Sequence, residues 1–471
     1  MQYRKGSEQG GNPLGALAPY LAYLAVAQQR FEHIQPVQRR LDFGDPAIHA
    51  VHYLEDRAEL HEQFLSAAKS IFGIDLTLDP LSGNVFFRVG KPSAEAPPVD
   101  QLYSGGGAYK EELKSLPALH TQGDGMQSAL ALLLPVITAS FPIILVDEPE
   151  AFLHPPQARI LGSTLARLAH SRAIQLVVAT HDRHFLTGLL DADEVAVSVI
   201  RLSRDRDTSV ATHLESNTLR SAWSSAALRH SNLLDGLFHR VVVVTENERD
   251  CRFYAAALEA LDEETTLPIR PHDVLFISSS GKGHISALSR VLLASGVPVV
   301  ASPDLDIVND EQTIQKLFAL FQGNWSDIQS TYAAATAEFR TPRVIRKNEE
   351  VLRLVQVVLG QNLGDDYTGN TKRDITNVLR VDSEWQRLKD FGVSGFRAQR
   401  GKADEFLSKL AERGIVPVHV GELERFAPEI NLGKGDAWLA GALAAGAHRR
   451  PPVRLHLSNI LTSAGFPMTL P

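Results

Sequence analysis

The sequence predicts an α/β fold in which two parallel sheets follow each other along the chain. Two observations support this prediction. Residues 125–200 alternate between helical patterns and apolar strands, and a second alternation begins near residue 240. Strands that are apolar on both faces and separated by helices are typical of parallel sheets. With 471 residues, the chain is long enough for two or three domains with full cores.

The composition is that of a soluble globular protein, with 44% hydrophobic and 22% charged residues. The single cysteine, Cys251, excludes an internal disulfide, and the N-terminal sequence lacks a signal-peptide pattern, so we expect a cytoplasmic protein. Because the net charge is −8, any contact with DNA is expected to be local. Basic clusters at residues 339–347, 396–402 and 448–454 are each explained most simply as solvated surface.

The first domain begins with mixed elements, among them a short strand at residues 84–89, and a polar loop follows at residues 90–107. Residues 129–146 are nearly all apolar and about as long as a membrane span. Pro135 and Pro142 interrupt this run, so we expect a buried helix, a break and a buried strand, with no membrane partner. Later in this domain, residues 203–217 indicate a polar β-ribbon or a linker.

The buried strand ends in two adjacent acids, Asp147 and Glu148. Carboxylates at the carboxyl end of a parallel strand can hold a hydrated Mg²⁺ and orient water for attack on a phosphate. Asp147 would then be the acid on the metal side and Glu148 the general base. Two adjacent carboxylates also repel each other, so a cation is expected beside them. The next strand ends before His181, which is in position to contact a γ-phosphate.

Upstream, a glycine-containing turn at residues 123–125 precedes a helix, and a helix N-terminus can cap a phosphate. The three motifs together resemble the ATP-binding-cassette ATPases, specifically the branch that contains DNA-repair and phage-defence ATPases. The resemblance implies a signature loop at residues 123–128, a Walker B segment at residues 143–148 and a switch histidine. The implied ATP-binding residues are Gly123, Asp124, Gly125, Asp147, Glu148 and His181. Gly123 departs from the family, which usually has serine there.

The phosphate-binding loop of this family, G-x-x-x-x-G-K-[ST], has no match before residue 120. Residues 6–15 contain glycines without the Gly-Lys-Ser/Thr ending, and Lys282 is followed by Gly283 and lies beyond the first domain. The sequence therefore predicts an N-terminally truncated ATPase domain over residues 1–220. As written, this domain is expected to bind ATP weakly or not at all.

The second alternation places four acids after strand ends. Glu246 ends one strand, Asp250 lies in the first turn of the following helix, and Asp304 and Asp306 follow a later strand. Asp304 and Asp306 are expected to face the same way, because they are two apart in an extended segment. Adjacent parallel strands present their carboxyl ends at one edge. Four carboxylates there, without enough nearby Lys or Arg, indicate divalent cations that clamp a phosphodiester.

This arrangement resembles the topoisomerase–primase (Toprim) domain. An ATP-binding-cassette ATPase followed by a Toprim domain resembles the overcoming-lysogenisation-defect (OLD) family of nucleases, over roughly residues 40–430. Residues 421–426 resemble a later acidic motif of the family, in which Glu422 or Glu424 joins the second metal, with Glu424 favoured. The implied metal ligands are Glu246, Asp250, Asp304, Asp306 and Glu424. The implied catalytic residues are Glu148, Glu246 and Lys434, the last assisting the leaving oxygen.

The roles of two further residues near this site remain open. Asn247 stands where the family has glycine, and we expect the turn to tolerate it because asparagine accepts unusual backbone angles. Lys282, in the glycine-rich loop after the second strand of this domain, either meets a phosphate or belongs to a solvated turn.

The domain order expected from these patterns is the ATPase domain, a Toprim core at residues 235–310, a helical insertion at residues 311–413, and a final strand within the C-terminal segment 414–471. The resemblance implies an ATP-regulated DNA endonuclease or nickase that uses Mg²⁺ or Mn²⁺ and acts as a homodimer, with room for a partner protein in a defence system. Two alternatives stay open. One is a regulatory ATPase of DNA repair or phage defence without nuclease activity, and the other is an inactive truncated relic.

Overall fold

The computed structural model describes residues 21–27, 29–42, 44–79, 81–98, 107–138, 141–205, 207–224, 229, 232–340, 347–361, 364, 366–379 and 384–468. The chain divides into two compact units after Trp223. The glycines of residues 6–15 and most of the basic cluster at 339–347 lie outside the described residues.

In the described part of the first unit, the strands form one parallel sheet and three antiparallel strand pairs. Its strands are β1 (Ala22–Ala25), β2 (Val37–Gln38), β3 (Leu76–Leu78), β4 (Asn84–Val85), β5 (Phe87–Val89), β6 (Ile143–Asp147), β7 (Gln175–Ala179), β8 (Val199–Asp205) and β9 (Thr208–Leu214). The helices up to the division are α1 (Ala50–Asp56), α2 (Ala58–Phe72), α3 (Gly107–Ser115), α4 (Asp124–Thr138), α5 (Pro155–Ser171), α6 (Arg183–Leu190) and α7 (Ser216–Ser224).

The parallel sheet of this unit has the order β1-β6-β7. β6 is therefore the middle strand, and its carboxyl end carries Asp147. The pattern at residues 84–89 forms two short strands with different partners, since β4 pairs with β2 and β5 with β3. The polar ribbon is present as the β8–β9 hairpin.

Helix α4 lies at the centre of the first core, where residues 129–134 are fully buried. The helix contains Pro135 and continues to Thr138, and β6 begins at Ile143, as expected for a buried helix that is followed by a buried strand. A proline removes one helical hydrogen bond, a cost that burial of the surrounding apolar side chains offsets. Within the described residues, no helix combines the length and the apolar character needed to cross a membrane.

The second unit contains a parallel sheet flanked by helices. Its strands are β10 (Val241–Thr245), β11 (Val274–Ser278) and β12 (Val299–Ser302). Its helices are α8 (Glu248–Glu264), α9 (Lys282–Ala294), α10 (Glu311–Leu320), α11 (Gln329–Thr336), α12 (Asn348–Gly360), α13 (Gly369–Leu379), α14 (Gln386–Phe391), α15 (Arg400–Ala411), α16 (Asp436–Ala444) and α17 (Pro451–Ser463). The strand order is β11-β10-β12.

The register of this sheet brings the ends of its strands level. Thr245, the last residue of β10, pairs with Ser278 of β11 and with Ser302 of β12. All five residues of β10 are buried, as expected for a central parallel strand. The residues that follow these strands therefore share one edge of the sheet.

Residues 414–420, the expected last strand, extend this sheet beyond β12 through two parallel bridges. Ile415 pairs with Ala301, and Val418 pairs with Asp304. Pro417 lies between the two bridges and has no N–H to donate, which explains why the pairing is not a regular strand. This segment thus lies beside the carboxyl end of β12.

Candidate functional sites

The acidic pair at the end of β6 is open to solvent. Asp147 and Glu148 are both exposed, and the Glu148 N–H donates to the carbonyl of Ala179 at 2.9 Å. Glu148 has a φ of 45°, in the left-handed region that costs a residue with a side chain on the order of 1 kcal/mol. Such local strain is most often kept where a side chain must be held at a particular place.

The cation beside this pair is Arg30, which binds backbone rather than carboxylates. The Arg30 guanidinium is fully buried and donates to the carbonyl oxygens of Asp147 and, at 2.8 Å, of Glu148. It also donates to Ser128 Oγ at 3.3 Å. Burial lowers the pKa of Arg30, while the charge of Glu150 opposes that effect. Sequence reasoning missed Arg30, which lies 117 residues before Asp147, because no local pattern separates it from a surface arginine.

His181 lies beside the acids, as the order of the motifs predicts. Its Nδ1 is 3.3 Å from Glu148 Oε1 and 3.8 Å from Glu150 Oε1. Glu150 is buried, and its Oε1 accepts from Thr180 Oγ1 at 2.7 Å and from the His181 N–H at 3.4 Å. Glu150 was also missed. It fixes the loop after β7 and so sets the backbone position of His181.

The glycine turn before α4 has one crowded and one open position. A Cβ at Gly125 would lie 2.4 Å from the Phe152 carbonyl oxygen, so a side chain would force the backbone to move. At Gly123, no described heavy atom lies within 4 Å of such a Cβ. The space for the serine usual in the resembled family is therefore present. Asp124, the first residue of α4, is exposed.

In the second unit, three carboxylates meet at the shared edge of the sheet. Glu246, Asp304 and Asp306 each offer one oxygen, and these oxygens lie within 4.8 Å of one another. Glu246 and Asp306 are buried, and the Asp304 N–H donates to Glu246 Oε1 at 3.2 Å. The level ends of β10 and β12 bring Glu246 and Asp304 together.

The local reason given for Asp304 and Asp306 facing the same way is wrong. They do not lie in an extended segment, because Asp306 belongs to a 3-10 turn at Leu305–Asn309 with Asp304 as its cap. The carboxylate oxygens nevertheless converge. The turn is held by hydrogen bonds from the Ile307 N–H to the Asp304 carbonyl and from the Leu305 N–H to the Gly421 carbonyl.

Asp250 caps the helix that follows Glu246. Its Oδ2 accepts from the Asn247 N–H at 2.9 Å, and its side chain is buried. Asn247 has a φ of −131°, an ordinary extended angle, so the turn needs neither glycine nor the tolerance of unusual angles expected of asparagine. Glu424 lies close enough to raise the pKa of Asp250 by its charge.

Burial disfavours the ionised form of three carboxylates at this edge, those of Glu246, Asp250 and Asp304. Burial raises the pKa of Asp304 to about 9, and the charge of Glu246 contributes to that rise. Burial likewise raises the pKa of Asp250 to about 7, against the hydrogen bond from Asn247, and it raises the pKa of Glu246. Buried carboxylates crowded in this way are stabilised as anions by a divalent cation, whose preferred ligands are oxygens. The donor set therefore fits Mg²⁺ or Mn²⁺.

The expectation that few cations lie near these acids is wrong. Lys282 Nζ is 2.5 Å and Lys389 Nζ is 2.9 Å from Asp306 Oδ2. Although burial acts in the opposite direction, hydrogen bonds from the two lysines hold the pKa of Asp306 below its usual range. Lys282 was considered above as a phosphate contact, and its pairing with Asp306 was not predicted. Lys389 was missed because its helix has the charged pattern of a solvated surface.

Lys434 pairs with the acids of the segment that follows residue 420. Its Nζ is 2.5 Å from Glu422 Oε2 and 3.9 Å from Glu424 Oε2. Glu422 is buried and raises the pKa of Asp304 by its charge, so Glu422 as well as Glu424 faces the cluster. We refer to Glu246, Asp304 and Asp306 as the acid cluster.

Comparison with known proteins supports an ATPase-like domain in the first unit. Residues 27–187 match the model of the family described as "AAA domain, putative AbiEii toxin, Type IV TA system". The chain is also 22% identical over 174 residues to the Old nuclease of Escherichia phage P2, a match that covers 36% of this chain and 28% of that protein. The matched region thus spans less than a third of the Old nuclease.

Solved structures of Smc head domains are also similar to part of the chain. A Smc head bound to the C-terminal winged-helix domain of ScpA has 12% identity and a TM-score of 0.29, covering 43% of this chain and 57% of that one. A Smc head with an extended coiled coil, bound to the C-terminal domain of ScpA from Pyrococcus furiosus, has 12% identity and a TM-score of 0.27. That match covers 37% of this chain and 39% of the Smc chain. At TM-scores this low, neither similarity defines the fold of this chain.

Proposed function

We propose that this chain is a divalent-metal-dependent DNA endonuclease or nickase of the OLD type, whose Toprim-like second unit hydrolyses a phosphodiester. The observation that carries the proposal is the acid cluster, three carboxylates within 4.8 Å at the carboxyl edge of a parallel sheet. Distant similarity to the Old nuclease supports the same chemistry. DNA is the proposed substrate, and Mg²⁺ or Mn²⁺ the proposed cofactor.

The residues of the second unit have separate roles in this proposal. Glu246, Asp304 and Asp306 hold one cation, and Asp250 and Glu424 contribute to a second. Such cations supply charge stabilisation and activation of water at a phosphodiester. Lys434, whose side chain is 59% exposed, is free to turn from Glu422 toward the leaving oxygen and to stabilise its charge.

The first unit is proposed to regulate cleavage through ATP, although the loop G-x-x-x-x-G-K-[ST] has no match before residue 120 and the domain as written is expected to bind ATP weakly or not at all. Asp147 and Glu148 lie at the strand end, and His181 Nδ1 is 3.3 Å from Glu148 Oε1, an arrangement that suits a metal-side acid, a general base and a γ-phosphate contact. Gly123, Asp124 and Gly125 would meet the nucleotide of a partner protomer. The proposal therefore includes a homodimer. Light scattering should give a mass of about twice the 51.6-kDa chain mass, and a strict monomer would contradict the homodimer.

The nuclease activity is tested with supercoiled plasmid in Mn²⁺ or Mg²⁺, with and without a chelator. We expect nicked circles with either metal, none after chelation, and a loss of rate on the order of a hundredfold or more in Asp304→Asn. A wild-type protein that stays inert with both metals, while binding them, would overturn the proposed activity.

A second function, regulatory ATPase without nuclease activity, is favoured by one observation. Lys282 and Lys389 already neutralise Asp306, so the cluster is partly satisfied without a metal. In that case, Mn²⁺ would not bind the second unit, and any regulatory function would rest with the first unit. Calorimetric titration with Mn²⁺ separates the two functions.

A further inference from the structure

The helical insertion reaches the acid cluster through α14. Lys389 of α14 and Lys282, the first residue of α9, place their Nζ atoms 2.9 Å and 2.5 Å from the same oxygen, Asp306 Oδ2. The other oxygen, Oδ1, is buried and has no hydrogen-bond partner among the described residues. Two ammonium groups therefore share one side of a carboxylate whose other side is unsatisfied.

Lys389 is held there by close packing of its backbone. A Cβ on Gly421 would lie 2.4 Å from the Lys389 carbonyl oxygen, and Gly421 has a φ of 112°. The Gly421 carbonyl accepts from the Leu305 N–H at 2.8 Å, within the turn that carries the cluster. One residue on, Asp390 is bound by the Arg425 guanidinium. α14 is thus fixed against the edge of the sheet.

The side chains of the two lysines are partly exposed and can change conformation, whereas the backbone of α14 is held by packing. The Lys282 side chain is 40% exposed and that of Lys389 is 33% exposed, whereas that of Asp306 is only 10% exposed. A divalent cation on Asp306 would repel both ammonium groups, because like charges a few ångströms apart are unfavourable. Both lysines would then turn outward at the same place, as a pair of positive charges without a carboxylate.

We propose that Lys282 and Lys389 exchange partners during the reaction: they neutralise Asp306 before the divalent cation binds, and each of them contacts a backbone phosphate of the DNA afterwards. The identity of the second partner rests on the proposed nuclease function, whereas the competition with the cation does not. The helical insertion is thereby part of the DNA-binding site, since it supplies one of the two ammonium groups.

The first test measures Mn²⁺ binding by calorimetry in the absence of DNA. Lys389→Met keeps the length of the side chain but removes the competing charge, so Mn²⁺ should bind about fivefold more tightly. Lys389→Arg should bind Mn²⁺ like the wild type. Lys409→Met, which removes a lysine of the same insertion that pairs with Glu405, is the control and should change nothing. An unchanged Mn²⁺ affinity in Lys389→Met would overturn the proposal.

The second test measures the salt dependence of DNA binding by fluorescence anisotropy, with Ca²⁺ in place of Mn²⁺ so that the duplex stays uncleaved. Each lost phosphate contact lowers the slope of log K against log salt by about 0.9. Lys282→Met and Lys389→Met should each show this loss, and Lys409→Met and Lys389→Arg should not. A merely structural defect would weaken binding at all salt concentrations without this change of slope. Wild-type slopes in both methionine variants would contradict the phosphate contact.

The two tests also separate this inference from the proposed function. If plasmid stays uncut while Lys389→Met shows tighter Mn²⁺ binding and a reduced salt slope, the nuclease activity is wrong and the exchange of partners stands. If plasmid is nicked while Lys389→Met behaves like the wild type in both measurements, the nuclease stands and the exchange is wrong.

Discussion

At the scale of single residues, the two acidic sites are supported in different ways. Arg30 donates to the backbone carbonyls of Asp147 and Glu148, so its hydrogen bonds stabilise the turn and leave the carboxylates without a hydrogen bond from it. Lys282 and Lys389 act on a carboxylate directly. The first site therefore leaves its acids exposed and available, whereas the second already holds cations against one of its acids.

Replacing Arg30 with methionine should destabilise the first unit. The change removes a buried guanidinium that donates to two backbone carbonyls and to Ser128 Oγ, which costs about 2–4 kcal/mol. Hydrogen exchange measured on peptides of β6 should show this loss as faster exchange. Arg167→Met is the matched control, because the exposed pair of Arg167 with Glu194 contributes less than about 1 kcal/mol. Equal exchange in the two variants would show that Arg30 does not hold the turn.

The buried His456 should make the second unit sensitive to acid. Burial lowers the pKa of His456 to about 3, whereas the unfolded chain has the ordinary value of about 6.5. The folded state therefore keeps His456 neutral, and its contribution to stability is complete above pH 6.5 and is lost as the pH falls toward 3. The corresponding slope is up to about 1.4 kcal/mol per pH unit.

Urea unfolding at pH 7, 6 and 5 measures this slope. His456→Gln keeps a polar group near Ser302 Oγ, which lies 2.9 Å from His456 Nε2, and should flatten the loss of stability below pH 6.5. The exposed His284→Gln should keep the wild-type slope, because an exposed ring loses little hydration on folding. If the stability of wild type and of His456→Gln falls equally with decreasing pH, His456 is not the source of the acid sensitivity.

At the scale of elements, the sequence predicts the parallel strands well and the short or irregular ones poorly. Apolar runs that alternate with helices identify β6, β7, β10, β11 and β12 as strands of parallel sheets, although no residue of β7 is buried. β1 and the two-residue strands carry too few residues for a periodic signal. Residues 414–420 were expected as a strand, and Pro417 limits them to two bridges.

In the two sites, too, some residues are predictable from the sequence and others are not. The acids after strand ends follow from topology, because parallel strands end at one edge. Arg30, Glu150 and Lys389 could not be predicted, since each depends on tertiary packing between segments that are distant in the chain or on a loop geometry without a sequence pattern.

The packing of α14 against residues 414–421 gives a prediction at this scale. Gly421→Ala should lower the free energy of unfolding of the second unit by about 1–3 kcal/mol, because a methyl group would meet the Lys389 carbonyl oxygen and the φ of 112° would be strained. Thermal unfolding measures this. Gly433→Ala, where no described heavy atom lies within 4 Å of the added carbon, should stay within about 0.5 kcal/mol of wild type. A Gly421→Ala protein as stable as Gly433→Ala would show that α14 can move freely.

At the scale of the whole molecule, the chain carries two acidic sites in two separate units. Asp147 and Glu148 precede the division after Trp223, and the acid cluster follows it. In the proposed function, the first site regulates and the second performs cleavage. The two sites should therefore be separable by mutation.

Glu148→Gln tests that separation. In the absence of nucleotide, the metal-dependent rate of nicking should stay within about twofold of wild type, because Glu148 belongs to the site of the other unit. The measurement is a time course of plasmid nicking in Mn²⁺ without ATP. A loss of nicking comparable to that of Asp304→Asn would mean that Glu148 is needed for cleavage. The proposed separation of regulation and cleavage between the two sites would then be wrong.

In the proposed function, the acid cluster holds the metal that cleaves DNA, and a substitution of Glu246 tests this role. Glu246 and Glu248 are two residues apart, but Glu246 belongs to the cluster, whereas Glu248 is exposed and pairs with Arg252 at 3.5 Å. Plasmid nicking in Mn²⁺ should fall on the order of a hundredfold in Glu246→Gln, together with a loss of Mn²⁺ binding, and should be unchanged in Glu248→Gln. If Glu246→Gln protein is folded, binds Mn²⁺ and nicks plasmid at the wild-type rate, the acid cluster does not hold the metal that cleaves DNA.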